Sequence, residues 1–559
     1  MHNPLPSPAP RPPAYSWCLL IALAGLGVLL TMFSTVWGAG ATPDSATYVS
    51  AARNLQTGHG LRVQSDIHQS QQYYTSGQFG SLPVATDADT PPGVISRPLT
   101  QYPPLFSLLL AVPGVWGVDP LSSARWLNSL LFALNILLVG GAILRYSRGP
   151  VWPAVVGALL VLTQPDLLTI HAMAWSEAAF ILFALVGCLA LAAYLDGGQR
   201  RTLLLAAGAV GAASLTRYVG VVLILTGGVG LLVLNSRPIR RRMGDLLLFA
   251  AIAGVPLVAW LLRNAALGGS FANREAVYHP LMWPGFRQAL LTVAGWVAPF
   301  AGAHPLRIGG GLLALLALGV AGSLVALGRT AAGRRSHAPL LRFSLVLLLF
   351  MGLYGLFLIF TISLYDAATP LDGRILSPVF VAGLVLVLIH LQQAISRGRV
   401  ARWMGLLCLG LAVLPIGGYL VQSMPQVSSA HRSGLNYTGR EWRQSDTIRR
   451  VAGLPPAALI YSNAPDAIYL LTGRSANLLP PHANIYTQRA NAYYSKQMAL
   501  IRAQATQQPV FLVYFRTVYR MYLPVEAELQ QAFLLGAAQP GSDGVIYPLL
   551  AAASVGPVP

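Results

Sequence analysis

Apolar stretches, each near the length needed to cross a lipid hydrocarbon layer, recur from Tyr15 to Val421, and short arginine-bearing loops separate them. The pattern predicts 11 spans, at 15–37, 121–144, 150–165, 173–195, 202–216, 218–235, 246–262, 308–328, 341–362, 375–396 and 404–422. Two other apolar pieces are too short. "YPPLFSLLLAVPGVWG" from Tyr102 is broken by proline, and it and 288–303 read as interfacial or re-entrant helices. Between the first two spans lies a polar loop, 38–104. Its first part, Ser45 to Gln56, sets Val49, Ala52 and Leu55 on one helical face, with Gly58 as a stop. After Gln422 charges become frequent and the pattern changes: "AALIYSN" (457–463), "PVFLVYF" (509–515) and "GVIYPLL" (544–550) read as strands, while 440–452, 491–507 and 524–536 read as helices. The expected fold class is a polytopic α-helical membrane protein of about 11 transmembrane helices with a C-terminal α/β domain. A Pro-rich tail at 1–14, with no means of forming a core, precedes the transmembrane domain 15–422, and the α/β domain is 423–559. No internal repeat is evident.

Composition agrees: 55% of the 559 residues are hydrophobic and 10% are charged, too few charges for a soluble chain of this length. The formal charge of +19 would suggest nucleic acid in a soluble protein, but here the placement of arginine matters more. Sixteen arginines fall on one side: Arg11, Arg145, Arg148, Arg200, Arg201, Arg237, Arg240, Arg241, Arg242, Arg329, Arg334, Arg335, Arg342, Arg397, Arg399 and Arg402. Cytoplasmic loops retain basic residues, so the N-terminus is expected inside and, with an odd span count, the C-terminal domain outside. The loop 38–104, with three arginines against four aspartates, then faces out. Cys18, Cys188 and Cys408 fall inside spans as small core residues and imply no disulfide framework. The 15–37 segment is followed by Ala39-Gly40-Ala41, which has the look of a cleavage site, but its apolar run is too long for a signal peptide and is expected to be retained.

The candidate chemistry gathers on the outer face. Asp44 stands a few residues beyond the first span at the head of the segment 45–56, where it reads either as an N-cap or as a reactive carboxylate. An ionised Asp44 suits metal binding or orienting a hydroxyl better than strong proton abstraction. The next outer loop, "TQPDLLTIHAMAWSEAAF", brings Asp166, His171 and Glu177 to the same face. Glu177, deeper in the apolar run, needs a partner. The spacing D-x4-H-x5-E matches no metal signature, and Asp44 with Asp166 stay as candidate ligands for a divalent cation. Arg217, Arg263 and Arg374 lie at outer span ends, either snorkelling to the interface or pairing with phosphate oxygens. Arg374, in "LDGRILSP", is the strongest phosphate candidate, with Asp372 beside it to hold it in place. In the C-terminal domain Asn463 and Asp466 suit a strand-to-helix turn, and "RTVYRMY" is either a glycan-binding or an exposed amphipathic edge. No P-loop, nucleotide-sugar fingerprint or zinc-binding Cys/His set is present in the sequence.

Taken in order, the D-S-x-x-Y context of Asp44 and Tyr48, "NLQTGHG", "YPPLFSLLLA" opened by Tyr102, "RWLNSLLFALNILL", "WSEAAFILFALVGCLALAAYL", "SLTRYVGVVLI", "WLLRNAALGGSF" and "DGRILSPVF" resemble the GT-C superfamily of integral-membrane glycosyltransferases. The similarity runs toward the bacterial branch of aminoarabinose transferases and protein mannosyltransferases, and it spans most of the membrane part. It implies an active-site role for Asp44, with substrate-binding roles falling to Tyr48, Tyr102, Asp166, His171, Glu177, Arg217, Arg263 and Arg374. It also implies a polyprenyl-phosphate sugar as donor and a lipid, glycan or protein as acceptor, at the outer face of a bacterial cytoplasmic membrane, with inversion at the anomeric carbon. Two departures stand out. Gln101-Tyr102 replaces the Lys usual before the Pro-Pro pair, and the first loop is expanded by "QSDIHQSQQYYTSGQFGSLPVATDADT". The rival expectation is a non-catalytic membrane protein, a lipid-linked-glycan flippase or an assembly scaffold; a transporter would place polar residues along its spans, whereas here the acids cluster at one face.

Overall fold

The computed structural model describes residues 13–75, 96–147, 150–268, 270–302, 304–329, 337–395 and 399–551; most of the tail 1–14 and the later part of the loop expansion lie outside them. Seven described helices are long and apolar enough to cross a membrane: Ala14–Ser34 (α1), Pro120–Ser147, Glu177–Gly197, Ile239–Gly268, Pro305–Arg329, Ala338–Leu364 and Gly373–Ile395. An eighth span arises if Trp152–Thr163 and Pro165–Ala172, bent by 61° at the intervening Gln164, are taken together. With the bent pair taken as one span, eight of the 11 expected segments meet that criterion of length and composition among the described residues, and punctuation in the chain bears on several of them. Pro165 cannot continue the helix before it. The segment 202–216 belongs to a 17-residue helix, Arg200–Thr216, and 218–235 breaks into a 3₁₀ turn, a nine-residue helix rich in β-branched residues and glycine, and a π turn. The expected span 404–422 belongs to Arg399–Ser433, 35 residues long. At 1.5 Å per residue it runs about 50 Å, outreaching a hydrocarbon layer of about 30 Å.

That overshoot carries the chain to the C-terminal part. There Leu459–Ser462 (β3), Asn477–Leu478 (β4), Val510–Phe515 (β5), Gln539–Pro540 (β6) and Gly544–Pro548 (β7) form a mixed sheet in the order β4-β3-β5-β7-β6. β3 lies parallel to β4 and β5, and β7 antiparallel to β5 and β6. Period-2 alternation splits its side chains between two cores. Ile460, Val513 and Ile546 join the large core continuous with the helices, whereas Leu459, Tyr461, Leu512, Val545 and Tyr547 build a second one. The second core is completed from far away in sequence. Ile67 and Tyr74, seven residues apart on one face of the helix Ile67–Thr75 (α3) in the loop 38–104, pack into it. Tyr74 Oη donates to Leu478 O at 2.8 Å, Gln497 Nε2 donates to Tyr74 O at 2.7 Å, and Asn484 Nδ2 donates to Thr75 Oγ1 at 2.7 Å. A two-residue antiparallel pair, Arg62–Val63 (β1) with Arg97–Pro98 (β2), closes the base of this loop.

Candidate active site

The structure places the start of the helix bearing Asp44 at Pro43 (α2, Pro43–Gln56), not at Ser45. Proline suits the first helical position because its fixed φ is helical and no partner is lost with its missing N–H. Thr42 is the N-cap, and its amide donates to Ser45 Oγ at 3.1 Å. Since neighbouring residues make the cap, the Asp44 carboxylate is left for side chains from other segments. Its Oδ2 accepts from Arg374 Nη2 at 2.6 Å; its Oδ1 accepts from Tyr102 Oη at 2.8 Å and lies 3.0 Å from His68 Nε2.

Arg374 is the hub of this cluster. It is the second residue of Gly373–Ile395, whose first turn is held by Asp372, Oδ1 accepting from the Ile375 amide at 3.0 Å. Arg374 Nε donates to Glu177 Oε1 at 2.5 Å, and the guanidinium lies flat over Trp175, 3.9 Å from the ring centroid. Glu177, buried at the start of its span, is also ion-paired to Arg217. Tyr48 reaches the group through Ser176, whose Oγ is 3.1 Å from Tyr48 Oη and accepts from Arg217 Nη1 at 3.4 Å. Two carboxylates and two guanidiniums thus balance in a continuous row, Asp44–Arg374–Glu177–Arg217. Burial pushes the Asp44 carboxyl up, but the Arg374 charge, together with the hydrogen bond and charge of His68, holds it well below the usual carboxylate range. Burial, with the Asp44 charge beside it, pushes the Tyr102 phenol up, so it stays a donor. A buried anion with its oxygens already directed is suited to orienting a hydroxyl, and a planar fork beside it is suited to an oxyanion.

This helical framework with a sheet-bearing C-terminal part has solved counterparts. ArnT from Cupriavidus metallidurans bound to undecaprenyl phosphate superposes with a TM-score of 0.54 at 14% identity, covering 97% of this chain and 99% of that one. The archaeal oligosaccharyltransferase AglB from Archaeoglobus fulgidus, in complex with an inhibitory peptide and a dolichol-phosphate, does so with a TM-score of 0.50 at 12% identity, covering 98% of this chain and 75% of that one. The chain has the GT-C fold. No protein-family model and no curated protein sequence matches it.

On this GT-C framework the remaining sequence candidates separate. His171 is a core residue: Nδ1 bonds to Leu167 O at 2.7 Å, Nε2 is 3.1 Å from Asn135 Nδ2, and the ring stacks on Phe132. Asp166 accepts from Gln164 Nε2 at 2.8 Å and packs against Gly373, where a Cβ would collide with its carboxylate. Among the described residues it makes no bond to Asp44, and no three His, Cys, Asp or Glu side chains gather to hold a metal. In this arrangement both Asp44 oxygens are directed at Arg374, Tyr102 and His68. Arg263 faces the loop backbone, donating to Leu99 O at 2.6 Å and Leu61 O at 3.3 Å. Asn463 ties β3 to the Phe515 backbone, and Asp466 is buried against Arg520, 3.0 Å away, so both serve the sheet domain internally. Sequence reasoning missed His68, Tyr486 and Arg274. His68 Nδ1 meets the phenol of Tyr486, and Arg274 lies over the Tyr486 ring at 4.0 Å. Gln101, at the position noted as a departure, accepts from Arg274 Nη1 at 2.9 Å. The one sequence signal for His68 was its place inside the loop expansion.

Proposed function

We propose that the protein is a membrane glycosyltransferase that moves a sugar from a polyprenyl-phosphate donor to a hydroxyl-bearing lipid, glycan or protein acceptor at the outer face of a bacterial cytoplasmic membrane, inverting the anomeric carbon. The observation that carries this reading is the Arg374 bridge between Asp44 and Glu177 at the outer end of the bundle, on a fold shared with proteins solved with undecaprenyl phosphate and dolichol-phosphate. The donor phosphate takes the guanidinium fork of Arg374, supported by Arg217. As the bond between the anomeric carbon and the phosphate oxygen breaks, charge grows on that oxygen and the fork stabilises it. Asp44 directs the activation of the acceptor hydroxyl on the opposite side of the sugar. An apolar cavity of about 440 Å³ lined by Trp296, Leu324, Phe380, Leu384 and Tyr419, beside the helix that bears Arg374, is suited to an isoprenoid chain.

Purified protein given an undecaprenyl-phosphate sugar and a membrane-glycolipid acceptor should release undecaprenyl phosphate, and a nucleotide sugar should give nothing. No release from a panel of polyprenyl-phosphate donors would return the chain to the flippase or scaffold reading. The orientation is tested in intact cells: a cysteine at Met521, 81% exposed in the C-terminal part, should react with an impermeant thiol reagent, and one at Arg241 should not. Labelling at Arg241 alone would invert the assignment of faces.

A further inference from the structure

His68 shares with Asp44 a geometry that the carboxylate alone does not explain. It enters the site from α3, whose Ile67 and Tyr74 are anchored in the sheet-side core, so the ring is positioned by packing on both sides. An ionised carboxylate only accepts hydrogen bonds, so the 3.0 Å contact to Asp44 Oδ1 makes Nε2 the N–H nitrogen. Nδ1 then carries the lone pair. In this structure a hydroxyl, the phenol of Tyr486, occupies it. A carboxylate that orients one imidazole nitrogen while the other faces a hydroxyl is the arrangement that makes histidine a base toward that hydroxyl.

The charges around the ring favour this division of labour. Asp44 faces it from α2, Tyr102 from the segment before the helix Leu105–Ala111, Tyr486 from the C-terminal part and Asp66 from the start of its own helix; Arg374 and Glu177 lie behind Asp44, and Arg274 behind Tyr486. Asp44, with donors from Arg374, Tyr102 and His68, is a weak base. The imidazole, with its N–H turned to that anion, keeps a lone pair on Nδ1 directed at a hydroxyl and is the better-placed proton acceptor of the two.

Resting on the glycosyl-transfer reading above, we propose that His68 is the general base of the reaction and Asp44 its orienting anion, with the acceptor hydroxyl taking on Nδ1 the place that the Tyr486 phenol holds here. The acceptor O–H proton passes to Nδ1, and the pair from that bond forms the new bond to the anomeric carbon. The bond from the anomeric carbon to the phosphate oxygen breaks, its pair remaining on the phosphate against Arg374. The imidazolium then gives its proton to water, which restores the resting state. Tyr486, carried by the C-terminal part, is the residue that must yield for the acceptor to enter.

The test is the pH dependence of undecaprenyl phosphate release by the full-length protein in nanodiscs, with an undecaprenyl-phosphate sugar and a membrane-glycolipid acceptor. For the wild type, kcat/KM should bend and fall tenfold per pH unit on the acid side, as protonation takes the base out of its reactive form. His68→Gln should lower kcat/KM by about 10²- to 10⁴-fold and remove the bend. The wild-type profile needs no variant to fold. A profile flat from pH 8 to 5, or full turnover by His68→Gln, would overturn His68 as base and leave glycosyl transfer standing. Failure of every polyprenyl-phosphate donor would remove both.

Discussion

The helix Glu177–Gly197 carries a carboxylate near each end, and the two are treated differently. Asp196, with its side chain 20% exposed, pairs with Arg342 at 2.8 Å, and Arg342 also reaches Ser236. Glu177, 2% exposed, is shared by Arg217 and Arg374, and through Arg374 it is joined to Asp44. An ion pair in contact with water adds little, because solvent screens it and ordering two long side chains has an entropic cost. A buried one exists only if its partners are complete, since a lone charge there is strongly unfavourable. The pair at the Asp196 end is thus replaceable, whereas the network at the Glu177 end is an all-or-none arrangement in which each member sets the charge state of the next.

Glu177→Ala should break the contrast most severely. It removes the buried carboxylate that two half-buried guanidiniums share and should lower stability by about 3–5 kcal/mol, against about 0–1 kcal/mol for Asp196→Ala, compared by thermal unfolding in the same nanodiscs. Equal losses would mean that the two ends are energetically alike. Asp44→Asn should leave folding intact while turnover drops about 10²-fold or more, because the amide loses the charge that orients the reacting groups. Near-normal turnover in that variant would take Asp44 out of the chemistry. Arg374→Ala should weaken donor binding by about 10- to 100-fold, equivalent to one charge-assisted contact of roughly 1.5–3 kcal/mol. Arg374→Lys should recover part of this, since it keeps the charge and loses the fork, and Arg342→Ala should leave the donor titration unchanged.

The smallest effect concerns pH. The folded-state value of Asp44 lies below its unfolded value, which is about 3.9, so its contribution to stability is fully present above the unfolded value and is lost as pH falls through the folded one. The stability gap between wild type and Asp44→Asn should therefore narrow as pH falls below about pH 4, as followed by melting temperature. A gap that closes between pH 7 and 5 would contradict the Arg374 and His68 contacts.

Much of this site could be read in the sequence because its members sit where local rules make them conspicuous. Asp44 stands just past a span, Glu177 inside an apolar run, and Arg217 and Arg374 at span ends opposite the other arginines; the structure gathers these four with Tyr48 and Tyr102. The sheet strands were legible by alternation, and β3, β5 and β7 fall within the segments expected. Contacts made across the chain were not legible. His68 and Tyr486 are 418 positions apart, and nothing near either residue signals the other. His171 and Arg263 showed the converse error, since a polar residue at a span end looks the same in sequence whether it faces a cavity, a neighbouring helix or a loop carbonyl. The breaks at Gln164 and within 218–234, where proline and glycine divide apolar sequence into shorter helices, were not legible from hydropathy alone.

Just before Asp44 the backbone is stitched on both sides. Gly40 pairs with Met173 as a short parallel bridge, its amide donating to Ala172 O at 2.9 Å and its carbonyl accepting from Ala174 N at 2.8 Å, and Ala41 pairs with Asn436. A Cβ at residue 40 would run into Met173 and lie 2.6 Å from Leu435 Cβ, so only glycine lets the three strands lie this close. One stitch belongs to the bundle and the other to the stalk of the sheet domain, and they sit on consecutive residues. The dipeptide therefore works as a rivet: it fixes the backbone to both parts of the molecule immediately before the first turn of α2, where the carboxylate stands.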